Sequence, residues 1–256
     1  MDIAVLVVAG AAIGTISSMI GVGGGILMVP LLSFFFVATT QEAVGTSLAA
    51  VVVTSLFSSL RYGRQGVIDY ALAGWMAPSV IAGAWLGAWL TTQISSDGLA
   101  LAFGLLLMYP ALMMVSGREP KEIAQWFRLP NQDRGPVKVV AIGAVAGIAS
   151  GFFGVGSGIL MVPAMAVFLG VDMLHAVATS LLVMGPSALV ASVQHFFLNN
   201  LHFELMLPLA AGIVVGAQLG PRLAMAMPRR RLRQAFGIVL AYAGANMVWK
   251  GVAALL

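Results

Sequence analysis

Cysteine is absent from the 256-residue sequence, and only 9% of positions are charged. The first absence excludes disulfides, thiolate nucleophiles and cysteine metal sites. The second excludes a water-soluble globule, because a chain with 60% hydrophobic residues has too few polar groups to cover its surface. A mean hydropathy of +1.00 and recurring apolar stretches of roughly 17 to 25 residues make this an integral membrane protein.

Acidic residues are missing where a proton relay would need them. All nine, Asp2, Glu42, Asp69, Asp97, Glu119, Glu122, Asp133, Asp172 and Glu204, fall in expected loops or at segment ends. No carboxylate is left for the middle of a span, which argues against a carboxylate relay through the core. His175, His195 and His202 also stand at segment ends, where an interfacial role is more ordinary than proton carriage. The amino terminus has no basic n-region, so "MDIAVLVVAGAAIGTISSMI" reads as a retained first helix. The formal charge of +4 sits in short loops, where topology explains it better than a nucleic-acid partner does.

What the chain does contain is a decapeptide written twice, "GVGGGILMVP" at 21–30 and "GVGSGILMVP" at 154–163, 133 residues apart. The same offset pairs "GTSL" at 45–48 with "ATSL" at 178–181, and "GAWLG" at 83–87 with "GAQLG" at 216–220. The chain is therefore an internal duplication, with a first repeat over 1–117, a linker over 118–136 and a second repeat over 137–256. Apolar segments are expected at 3–20, 26–38, 43–60, 70–91 and 98–116, and again at 137–153, 159–170, 176–193, 204–224 and 232–250. The second segment of each set reaches only about 20 Å, short of the roughly 30 Å hydrocarbon core.

Twelve of the thirteen basic residues lie in the loop 61–69, in or beside the linker, or in 222–233, while 92–97 and 194–203 carry none. Cytoplasmic loops are enriched in Lys and Arg, so the expected place is the cell's inner (plasma) membrane, with the linker cytoplasmic and both termini outside. Equivalent loops of the two repeats then face opposite sides. The expected fold is an all-α polytopic membrane protein of two inverted-topology repeats, about five helical segments each, with broken or half-length helices at the glycine motifs.

Glycines spaced four apart, such as Gly10 with Gly14, Gly83 with Gly87, Gly143 with Gly147, and Gly212, Gly216 and Gly220, read as close helix packing. A dinucleotide or P-loop reading of the decapeptide fails for want of a preceding strand and a following Lys. Gly21, Gly23, Gly24 and Gly25 are too dense for packing alone, since each costs a helix about 1 kcal/mol relative to Ala. They predict a break, as do Gly154, Gly156 and Gly158 with Ser157. Pro30 and Pro163 lie about a turn past it, where a new helix would start. A helix amino terminus offers free N–H groups and the positive end of the macrodipole to a small anion. Two such breaks from inverted halves, meeting near the midplane, are the architecture of many secondary transporters.

Hydroxyls gather around the breaks with the same symmetry: Ser17 and Ser150, Thr46 with Ser47, and Thr179 with Ser180. These, with the motif residues, are the expected substrate site; no catalytic group, metal or cofactor is expected. Arg61, Gln218 and Asn246 are secondary candidates. Arg61 and Arg222 would draw anions to the inner mouth or simply snorkel, Gln218 matches Trp85 in the first repeat, and Asn246 is a polar group in the last segment that needs a partner.

"IGVGGGILMVPLL" followed by "AVGTSL", repeated as "FGVGSGILMVPAM" with "AVATSL", resembles the sulfite exporter TauE/SafE family over essentially the whole chain. The resemblance implies a transporter, usually an exporter, of sulfite, thiosulfate, sulfoacetate or other organosulfur anions. Its partners would be that small anion and membrane lipid, with a homodimer compatible. Two departures make the repeats chemically unequal: Gly24 becomes Ser157, and Glu42 becomes His175. Rival readings are a passive anion channel using the same helix ends, and an intramembrane hydrolase with Ser157 as nucleophile and His175 or His195 as base. Gly24 at the matching place argues against the hydrolase. A membrane scaffold without transport is the weakest alternative.

Overall fold

The computed structural model describes residues 3–36, 39–116, 135–226, 241–242, 244–249 and 252–253. Nine helices run through them: α1 (Ile3–Ile20), α2 (Gly25–Phe35), α3 (Thr40–Gly63), α4 (Tyr70–Thr91), α5 (Ser96–Ser116), α6 (Pro136–Phe153), α7 (Gly158–Phe168), α8 (Met173–Phe197) and α9 (Phe203–Ala226). Among the described residues there is no strand. Six helices, α1, α3, α4, α6, α8 and α9, are long and apolar enough to cross a membrane. Most of the linker, and most of the expected last segment, lie outside the described residues; 244–249 are helical.

Polar caps set the helix starts, and α3 and α8 begin earlier than apolarity alone suggests because their caps lie beyond the apolar edge. Thr39 accepts from the Glu42 N–H at 3.3 Å while its own N–H donates to Glu42 Oε2 at 3.1 Å, a capping box that starts α3 at Thr40 rather than 43. Asp69 caps α4 through the Leu72 N–H, and Asp172 caps α8 through the Leu174 N–H. Acidic residues at segment ends are thus helix starters. The half-length helices are as short as expected, 11 residues each, or about 16 Å. Pro30 and Pro163 sit inside α2 and α7, a turn later than a helix start, so the carbonyls of Ile26 and Ile159 lack their usual helical donor.

The first helix of each repeat lies along the fourth helix of the other, α1 on α9 and α6 on α4. Small residues permit this approach. A Cβ on Gly14 would stand 2.9 Å from Ile213 Cα, and one on Gly147 2.9 Å from Val80 Cα. From the other side, Gly83 faces Ala144 and Ile148, and Gly216 faces Ala11 and Thr15. Every one of these contacts recurs under the 133-residue offset. Helices α3 and α8 pack on each other at the centre and carry buried hydroxyls, among them Thr46, Ser47, Thr54, Ser55, Thr179, Ser180 and Ser187. Val8, Trp75, Trp85, Leu105, Val145, Leu189, Leu207 and Val215 point outward. Apolar exterior and hydroxyl-bearing interior fit a lipid solvent, in which unpaired polar groups are costly.

Candidate functional site: two helix breaks in contact

Each glycine-rich stretch ends one helix and starts another. Gly154 closes α6 in the left-handed region, φ 69°, its N–H bonded to the Ser150 carbonyl at 2.9 Å. Gly21 closes α1 likewise, φ 81°, bonded to the Ser17 carbonyl at 2.8 Å. Gly23 and Gly156 both have φ 78°, a conformation that L side chains enter only with strain. The copies then diverge. Gly24 has φ 97°, whereas Ser157 has φ −65°, which is why a side chain is accepted in the second break.

The two breaks touch. A Cβ on Gly25 would run into the Gly154 carbonyl, and one on Gly158 into the Gly21 carbonyl. These contacts are equivalent under the repeat offset: the amino terminus of α2 lies against the end of α6, and that of α7 against the end of α1, so the two breaks pass in direct backbone contact. Hydroxyls from the opposite repeat brace the crossing. Ser47 Oγ donates to the Gly154 carbonyl at 2.8 Å, and Ser180 Oγ to the Gly21 carbonyl at 3.2 Å. Each also reaches its own helix, at Val44 and Val177. One step outward, Thr46 Oγ1 accepts from the His202 N–H and Thr179 Oγ1 from the Asp69 N–H, both at 3.0 Å. The four hydroxyls expected at the site therefore hold the crossing together.

Polar capacity remains at the breaks themselves. Neither α2 nor α7 has a side-chain cap at its start. Ser150 and Ser157 are fully buried, and their hydroxyls have no hydrogen-bond partner. Ser17, matching Ser150, is also buried, its Oγ 3.1 Å from where a Cβ on Gly24 would stand. The described carboxylates all lie at helix ends, and none is among the atoms nearest to a Cβ on Gly25 or Gly158. Uncapped helix starts and unpaired buried hydroxyls, without an opposing negative charge, can receive a compact anion. Among the described residues no base is hydrogen-bonded to Ser157 Oγ.

The secondary candidates do not join this group. Gln218 is exposed on α9, as its counterpart Trp85 is on α4. Asn246 finds its partner one turn back, donating to the Tyr242 carbonyl at 2.8 Å. Arg61 lies near the end of α3 with a buried Nε that has no partner. Two pairs escaped the sequence reading. Val51 and Met184 converge on Gly23, and Tyr62 donates to the Ser18 carbonyl at 2.9 Å from the position that His195 holds in the second repeat. The 133-residue offset, followed down the middle of α3 and α8, was the signal for both.

These roles separate by mutation. Thr46→Val and Thr179→Val strand a part-buried backbone N–H, and Ser47→Ala and Ser180→Ala strand a buried carbonyl, so each should cost about 1–3 kcal/mol of stability, the threonines at the lower end. Ser150→Ala and Ser157→Ala remove an unpaired group and should leave the melting temperature unchanged or raised, while weakening anion binding about tenfold. Thermal melts alongside flux measurements check both; loss of stability in the Ser150 and Ser157 variants would show those hydroxyls to be structural.

The family described as sulfite exporter TauE/SafE matches residues 6–247. A probable membrane transporter protein of Bacillus subtilis, YunE, is 30% identical over 98% of this chain and 99% of its own length. One from Xylella fastidiosa is 28% identical over 96% and 95%, and MJ0441 of Methanocaldococcus jannaschii 24% over 95% and 94%. No solved structure matches. Glycine breaks, hydroxyl-bearing central helices and near-complete coverage thus agree: the chain belongs to the sulfite exporter TauE/SafE family and is a membrane transporter.

Proposed function

We propose that the chain exports small sulfur oxyanions, such as sulfite, thiosulfate or sulfoacetate, through a site at the meeting of the α2 and α7 amino termini. The observation that carries this reading is that each uncapped helix start lies against the opposite break, Gly25 on Gly154 and Gly158 on Gly21, beside the unpaired hydroxyls of Ser150 and Ser157. The free N–H groups of an uncapped helix start, with unpaired hydroxyls near them, suit the several acceptor oxygens of a sulfite or sulfonate group. The family's description supplies the sulfur; the geometry supports the anion. Purified protein in liposomes should give saturable sulfite flux, and flux that stays linear with concentration would replace the carrier by a channel.

Inverted insertion belongs to the same proposal. The offset-equivalent contacts of α1 on α9 and α6 on α4, and of the two breaks, are those of a pseudo-twofold relation, and an axis in the membrane plane would place the breaks at the midplane. In an inner or plasma membrane, accessibility labels at 125 and 231 should report cytoplasm, and labels at 96 and 199 the outside. Labels at 64 and 197 on the same side would contradict the inversion.

A further inference from the structure

The point where the breaks meet is covered by one side chain. Met184, in the middle of α8, is fully buried. A Cβ on Gly23 would stand 2.6 Å from both its Sδ and its Cε, and one on Gly156 would run into the same sulfur. The thioether therefore lies between the two left-handed glycines, in contact with both breaks. The 133-residue offset sets Val51 of α3 opposite, its Cγ1 3.1 Å from the Cβ position on Gly23.

The two side chains differ in what they can do. Valine is short and stiff at χ1. Methionine has three rotatable bonds and a polarizable sulfur that adapts to irregular space. It donates no hydrogen bond and accepts only weakly, so it cannot serve as an anion ligand. We propose that Met184 is a movable plug, which swings aside to open the crossing and whose length limits the size of anion that passes. The assignment rests on the breaks being the transport site, and it makes position 184, not the hydroxyls, the determinant of cargo size.

The chain has no cysteine, so Met184→Cys introduces a sole thiol. Protein in liposomes is treated with the anionic reagent methanethiosulfonate ethylsulfonate, and the adduct is read by mass. Val183→Cys, one residue earlier in the same helix and equally buried, is the control. Labelling at 184 should be at least about tenfold faster than at 183, and methanesulfonate should slow it. In a second arm, the flux of benzenesulfonate relative to methanesulfonate should rise about tenfold in Met184→Ala and stay near the parent value in the volume-conserving Met184→Leu, the scale of discrimination that a lost methylene or two gives in an apolar pocket. Equal labelling rates at 183 and 184, or an unchanged flux ratio in Met184→Ala, would overturn the plug. If the parent protein carries neither sulfonate, while Met184→Cys still labels faster than Val183→Cys, the plug stands and the sulfonate cargo is refuted.

Discussion

Replacing Gly158 by alanine should cut anion flux about ten- to a hundredfold, and Gly25→Ala should do the same. A methyl at 158 would stand 2.8 Å from the Gly21 carbonyl carbon and 3.2 Å from Val22 Cα, and one at 25 would stand 2.9 Å from the Gly154 carbonyl carbon. Both obstacles are backbone, so no rotamer change relieves them. The breaks must part by about an ångström, which costs the usual 1–3 kcal/mol of overpacking. It also pulls apart donors that have to act together on one ligand, and losing one or two hydrogen bonds to a charged group costs about 1.5–3 kcal/mol each. Gly74→Ala makes the contrast: a Cβ there meets nothing within 4 Å, so flux should stay unchanged and helix stability rise by roughly 0.5–1 kcal/mol. Equal effects at 74 and 158 would mean that close approach of the breaks is irrelevant to transport.

Flux should also be strongly driven by voltage. Among the described residues no carboxylate touches the Gly25 or Gly158 contacts, and an anion bound there is expected to move without a partner proton. An inside-negative potential favours its exit by about 2.3 kcal/mol per charge per 100 mV, which is roughly a fiftyfold outward accumulation of a monovalent anion. Clamping the potential with potassium and valinomycin while collapsing the proton gradient should leave export intact. Export that follows the pH gradient and ignores the potential would instead require a proton carrier, for which the Glu42 and His202 side chains, 3.6 Å apart, would be the first place to look.

Hydropathy and the repeat made most of the fold legible. The half-length α2 and α7, the breaks at Gly21 and Gly154, and the small-residue packing of Gly10, Gly83, Gly143 and Gly216 all follow from local composition acting through backbone freedom and steric bulk. Partner choice was not legible in the same way. Nothing in "GTSL" says that Ser47 will spend its proton on a carbonyl 107 residues away, because that depends on how two repeats cross rather than on either repeat alone. The sequence therefore assigned Thr46, Ser47, Thr179 and Ser180 to substrate, and the fold gives them bonds within the protein. Ser150 and Ser157 keep the capacity that was expected of all of them. Met184 was invisible for a simpler reason: a methionine in an apolar span looks like any other core residue until its neighbours are known.

Two helix amino termini that form one anion site should make the thermal stability of the purified protein respond selectively across a panel of ions and sugars. A ligand that binds only the folded state stabilises it by about 2.7 kcal/mol at one hundred times its dissociation constant. Sulfite, thiosulfate and small sulfonates should raise the melting temperature in the parent protein, and should raise it less in Ser150→Ala and Ser157→Ala. Stabilisation by inorganic cations or neutral sugars, with none by these anions, would contradict the account.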